Sequence, residues 1–83
     1  MFKNKSKDGK NNICGKRIYE LRKNFKTKMS QRALAEKLQL MGIDVDKNAI
    51  QRIESGQRFV IDVELVALAH VFNVEINDLI EKK

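Results

Sequence analysis

Lys47, Asn48, Gln51, Arg52 and Ser55 recur at helical spacing in the segment from Asp46 to Ser55. On a helix of about 3.6 residues per turn they share an arc of about 140°. Ile50 and Ile53 point the other way, with Ala49 beside them. Asn and Gln can bond adenine through two hydrogen bonds, and Arg and Lys suit the acceptor edge of guanine. A solvated helix face usually mixes Glu with Lys, but this one carries no acid. An acid there would repel phosphate, so the composition favours a base-reading surface over an ordinary polar face.

A second group sits around Ser30. A helix starting there presents free backbone N–H groups and the positive end of its dipole. Lys26, Lys28 and Arg32 surround that start, and together they could hold a phosphate. Capping by Ser30 is compatible with that role.

The remaining chemistry-bearing residues point nowhere in particular. His70 is the only histidine and Cys14 the only cysteine, so a metal site lacks ligands. His70 is expected on the surface and Cys14 in the core. There is no Ser-His-Asp set, phosphate loop or carboxylate pair. Asp44 and Asp46 flank a turn, and capping explains Asp46. No enzyme activity, metal or cofactor is expected.

The elements that must position these groups are helical. Cys14, Ile18, Leu21 and Phe25 predict a helix over 13–25, with Asn12 able to cap it. Ser30 caps a second helix, whose apolar stripe is Leu34, Ala35, Leu38 and Met41. Gly42 and Ile43 then suit a Schellman ending. Asp46 caps the third helix, with Val45 and Ile50 placed as a hydrophobic staple. That helix runs to about Ser55 and stops at Gly56. Asp62 is expected to cap a fourth helix carrying Leu65, Leu68, Ala69 and Phe72, ended by Asn73. A fifth is expected over 76–81. Phe59, Val60 and Ile61 are more apolar than a loop needs. They either plug the core or offer a partner surface. The expectation is an all-α, compact five-helix domain over 13–83.

The chain has 83 residues, enough for one domain. A domain of this size buries only about 60% of its unfolded surface, which leaves little room for a deep cleft. The formal charge is +6, and it is unevenly spread. Residues 1–12 sum to +3, residues 13–40 to +6, residues 41–58 to zero and residues 59–83 to −3. A basic domain suggests a polyanionic partner. Residues 1–12 have one internal apolar residue, Phe2, and read as a disordered basic tail. That tail is either an arm along DNA or a passive solubilising segment. It has no apolar stretch behind it, so it is not a signal peptide. No run approaches the roughly 18 apolar residues of a membrane span. The lone cysteine fits a reducing, cytoplasmic setting.

Several segments together carry a resemblance. Ile18-Tyr-Glu-Leu-Arg22, Met29-Ser-Gln-Arg-Ala-Leu-Ala-Glu-Lys-Leu38, Ile50-Gln-Arg-Ile-Glu-Ser-Gly56, Leu65-Val-Ala-Leu-Ala69 and Val74 to Leu79 follow in order. Over residues 13–81 the chain resembles the lambda-repressor/Cro helix-turn-helix family. The resemblance implies that Lys47, Asn48 and Arg52 touch base edges, with Gln51 beside them. It implies that Gln31 contacts phosphate and braces the recognition helix, and that Gly56, Gln57 and Arg58 form a phosphate-holding loop. Arg22 and Glu54 match a charged pair joining the first and third helices. The sequence departs from the family in two links. The first, between the first two helices, is slightly long. The second, from Leu40 to Asp46, exceeds the usual turn of about 3–4 residues.

The expected function is sequence-specific double-stranded DNA binding by a transcriptional regulator of the repressor kind. Base contacts fall to Lys47, Asn48, Gln51 and Arg52. Phosphate contacts fall to Lys28, Ser30, Gln31, Arg32, Gly56, Gln57 and Arg58. A homodimer is expected, formed through Val74, Ile76 and Ile80 or on DNA. The alternative is a protein-interaction module (an antirepressor, antitoxin-like partner or adaptor) that keeps the fold without specific DNA binding.

Overall fold

The computed structural model describes residues 10–80. Four α-helices follow one another: α1 (Gly15–Lys23), α2 (Gln31–Leu40), α3 (Lys47–Glu54) and α4 (Asp62–Phe72). Their apolar faces meet in one core. Ile18 of α1, Leu34 and Leu38 of α2, Ile50 and Ile53 of α3, Leu68 of α4 and Leu79 are all buried. No strand occurs among the described residues.

Local chemistry sets the helix ends. Ser30 Oγ accepts the Ala33 N–H at 3.0 Å, and Asp46 Oδ1 accepts the Ala49 N–H at 2.8 Å. Each satisfies one donor that a helix start leaves free. Val45 and Ile50 both lie in the core, as a staple requires. At the other ends, α2 and α3 close in the same way. Ile43 N–H reaches back to Leu38 O and Gly42 N–H to Gln39 O, both at 3.0 Å. Gln57 N–H bonds Arg52 O at 2.8 Å and Gly56 N–H bonds Ile53 O at 3.0 Å. Both are Schellman endings, and they need the left-handed φ of 86° at Gly42 and 83° at Gly56.

Several expectations need correction. The fifth helix expected over 76–81 is a single 3-10 turn, Ile76–Asp78. Leu79 and Ile80 N–H groups bond three residues back, to Ile76 and Asn77, a geometry that rarely propagates. Residue 81 lies outside the described residues. Asp62 does not cap α4 but is its first residue. The cap position is Ile61, which has no acceptor, and the Glu64 carboxylate takes the Ile61 N–H at 3.2 Å instead. α1 is shorter than 13–25, because Asn12 Oδ1 takes the N–H groups of Cys14 and Gly15 at 3.2 and 2.8 Å. Phe25 lies beyond its end yet still packs edge-to-face on Phe72, ring centroids 5.9 Å apart. Of Phe59, Val60 and Ile61, only Val60 packs on the core. Phe59 and Ile61 are 49% and 56% exposed.

The long link between α2 and α3 has its own fastening. Val45 is buried and Ile43 packs against the core, so both ends of the turn are anchored. Gln39 Nε2 donates to Val45 O at 2.7 Å. Leu40, by contrast, is 89% exposed at the turn's outer edge.

Candidate nucleic-acid interface

The outer face of α3 is built as its sequence pattern requires. Ile50 and Ile53 anchor the inner face. Lys47, Asn48, Gln51, Arg52 and Ser55 are exposed on the other. Ser55 Oγ turns back to Arg52 O at 3.2 Å. The side chains of Lys47, Asn48, Gln51 and Arg52 make no hydrogen bond or ion pair among the described residues, so their polar ends are available to a ligand.

What holds that face in place is one carboxylate. Arg22 Nε and Nη2 donate to Glu54 Oε2 and Oε1 at 2.6 and 3.0 Å, a two-bond pairing. Arg22 Nη1 also donates to Met29 O at 3.1 Å. The Glu54 hydrogen bond holds the Arg22 guanidinium above its ordinary pKa, against burial that pulls the other way. Gln31 Nε2 donates to Glu54 Oε1 at 3.0 Å. The ion pair therefore joins α1 to α3, and Gln31 adds the start of α2.

Around the start of α2 several polar and basic side chains lie at the surface. Lys28, Ser30 and Arg32 are exposed. An open depression there is lined by Arg22, Lys23, Lys28, Met29, Ser30 and Gln31. The Lys23 ammonium sits 5.9 Å from the Tyr19 ring centroid. Gln31 is half-buried, and its amide nitrogen faces Glu54 rather than solvent. The bracing part of its expected role is the part the geometry displays. A second depression, between α2 and the start of α3, is lined by residues that include Arg32, Gln39, Lys47 and Asn48.

The loop after α3 is not arranged as an anion cradle. The N–H groups of Gly56, Gln57 and Arg58 all bond carbonyls of α3, the last to Arg52 O at 3.2 Å. The Arg58 guanidinium pairs with the Glu64 carboxylate through two bonds, at 3.0 and 3.1 Å. Glu64 is 9% exposed, so this pair closes the start of α4. Of these three residues Gln57 is the exposed one, while the Arg58 side chain is 30% exposed and Gly56 is buried. The sequence pattern could not disclose this, because Arg58 reads as a free cation until Glu64 folds back on it.

Residues 10–12, assigned to a disordered tail by composition, make ordered contacts. Asn11 and Asn12 donate side-chain N–H groups to Gln57 O at 2.7 Å, Ile53 O at 3.1 Å and Arg58 O at 2.7 Å. Only the capping capacity of Asn12 gave a hint of this. The rest of the expected tail, residues 1–9, lies outside the described residues.

Other groups fit a structural role. Cys14 is 2% exposed, and burial pushes its thiol up to about 11. His70 is exposed. No group of three or more His, Cys, Asp or Glu residues able to hold a metal occurs among the described residues. No described helix is long and apolar enough to cross a membrane.

Comparison with known proteins agrees with this geometry. The helix-turn-helix family profile matches residues 18–79, which spans α1 to the 3-10 turn. No curated protein and no solved structure matches the chain significantly. On the matched span, and on the order of its four helices, the chain belongs to the helix-turn-helix family of the lambda-repressor/Cro type, a family of DNA-binding regulators.

Proposed function

We propose that the chain is a sequence-specific transcriptional repressor that reads the major groove of double-stranded DNA with α3. The observation that carries this reading is the outer face of α3. Lys47, Asn48, Gln51 and Arg52 stand exposed and unpaired there, with no acid among them. Asn48 and Gln51 suit adenine, and Lys47 and Arg52 suit guanine. Lys28, Ser30 and Arg32 at the start of α2 supply phosphate contacts that fix the register. Gln57 adds a polar side chain beyond the end of α3.

A homodimer completes this reading, because a helix-turn-helix dimer reads two half-sites about 34–36 Å apart. Of the residues expected to pair copies, Val74 and Ile80 are only partly exposed and Ile76 is 39% exposed. Phe59, Ile61, Val63 and Val66, close in sequence around the start of α4, are more open, each 49–56% exposed. Exposed apolar patches mark contact surfaces. The same residues favour the second reading, a protein-interaction module. That reading requires a protein complex which survives Lys47→Ala and Arg52→Ala.

The test is selection from a randomised duplex library, followed by rebinding of the recovered site at two salt concentrations. A palindrome bound far more tightly than random DNA is the expected result. Recovery of no motif, with binding that disappears as salt rises, would leave only charge-driven contact and favour the second reading.

A further inference from the structure

The depression between α2 and the start of α3 holds a side chain that no role described so far uses. Arg32, Glu36 and Gln39 of α2 line it, and Asp46, Lys47 and Asn48 line it from the other side. On a helix of about 3.6 residues per turn Arg32, Glu36 and Gln39 fall within an arc of about 60°. One side of α2 therefore adjoins the first turn of α3, where Lys47 and Asn48 stand exposed.

The charges of the depression are mixed. Arg32 and Lys47 are offset by Glu36 and Asp46, which makes it a poor seat for phosphate. The two acids differ in what they have left to bond. Asp46 Oδ1 already accepts the Ala49 N–H at 2.8 Å. Glu36 is exposed and makes no hydrogen bond or ion pair among the described residues. Arg32 stands four positions before it, the spacing of a helical ion pair, yet the two do not pair. Glu54 and Glu64, by contrast, are each gripped by an arginine.

An unpartnered carboxylate beside the outer face of α3 repels phosphate unless a donor on DNA meets it. In the major groove the donors are the amines of cytosine N4 and adenine N6. Adenine sets its N7 acceptor beside that amine, where a carboxylate is repelled. Cytosine presents the amine alone, and its paired guanine offers O6 and N7 to a cation.

We propose that Glu36 is a specificity-determining residue, accepting a hydrogen bond from cytosine N4 in a G·C pair whose guanine Lys47 contacts. This rests on the DNA-binding reading of α3 and adds a residue of α2 to the base contacts. Glu36 weakens binding to DNA in general and offsets that loss only where the amine stands against it.

The test repeats the duplex selection with Glu36→Ala, an exposed helical position where alanine is well tolerated. The parent is expected to select cytosine at one position beside those that α3 reads. The variant is expected to lose that choice alone. Replacing that cytosine by 2-pyrimidinone, which lacks the amine, should weaken the parent about 5- to 100-fold. Glu36→Ala should bind the two duplexes equally, and bind random duplex at least as tightly as the parent does. A variant that still selects the cytosine would overturn the proposal and leave the α3 reading standing. So would a variant that binds every sequence more tightly with its choice of base unchanged, because Glu36 would then act by repulsion alone. A parent that selects no site would sink the α3 reading, and the role of Glu36 with it.

Discussion

Gln31 and Glu54 are joined by a 3.0 Å hydrogen bond, from an amide at the start of α2 to a carboxylate at the end of α3. The same carboxylate is gripped by Arg22 of α1. The link between α2 and α3 is long for its family, and its six residues alone would not set an interhelix angle. Besides the shared core and the Gln39–Val45 bond, the Gln31–Glu54 bond ties the start of α2 to the end of α3, and Arg22 ties that same carboxylate to α1. The outer face of α3, proposed to read bases, is therefore held in part by residues that do not belong to it.

Glu54→Ala should destabilise the fold by about 3–5 kcal/mol in urea unfolding, because it strands Arg22 in a site 8% exposed. Gln31→Ala leaves the ion pair whole and should cost about 1.5–3 kcal/mol, the range for a hydrogen bond to a charged group. Equal losses in the two variants would show that Gln31, and not Arg22, is the main partner of Glu54.

Arg52→Ala should lower affinity for the selected site by about 1–3 kcal/mol and relax the choice of base at one position. Arg52 is exposed and unpaired, so the melting temperature should hardly move. A variant that discriminates as well as the parent would remove Arg52 from the base-reading set.

Arg58→Ala separates two roles. As a phosphate ligand Arg58 would take about one unit of salt slope with it. The structure has it paired with Glu64 instead, so the expected result is a stability loss of about 1–3 kcal/mol with the salt slope unchanged. A lost unit of slope at unchanged stability would return Arg58 to the phosphate contacts.

Cys14 makes stability fall in alkali. Its thiol is raised from 9.0 to about 11 in the fold, so the folded chain keeps a proton that the unfolded chain has already released. The contribution is whole below pH 9 and declines between pH 9 and 11. The stability difference between the parent and Cys14→Ala should shrink across that window by on the order of 2 kcal/mol. Thiol reagents should label the native protein only at the rate at which it opens. A pH-independent difference, or rapid labelling of the native protein, would contradict the buried site.

The sequence by itself determined what acts within a turn or two of helix. The stripe Leu34, Ala35 and Leu38 (though not Met41, expected with them but 40% exposed at the helix end), the caps at Ser30 and Asp46, the endings at Gly42 and Gly56 and the polar face of α3 all follow from local spacing and local hydrogen bonding. Those effects need no knowledge of the rest of the chain. The Arg22–Glu54 pair, 32 residues apart, was legible only through the family resemblance.

Tertiary structure decided the rest, because long-range partners change what a residue is free to do. Arg58 reads as a cation for phosphate until Glu64 claims it. Gln31 reads as a surface amide until Glu54 accepts from it. Asn11 and Asn12 read as the end of a polar tail, yet Asn12 bonds a carbonyl 46 positions away. Periodicity likewise extended the last helix to residue 81, where three-residue hydrogen bonding stops at a single turn. Local pattern places α1 to α4 and shows which faces they present, but it overextends the last segment. Only the assembled core determines which polar groups remain unpaired, and those are the groups that can meet DNA.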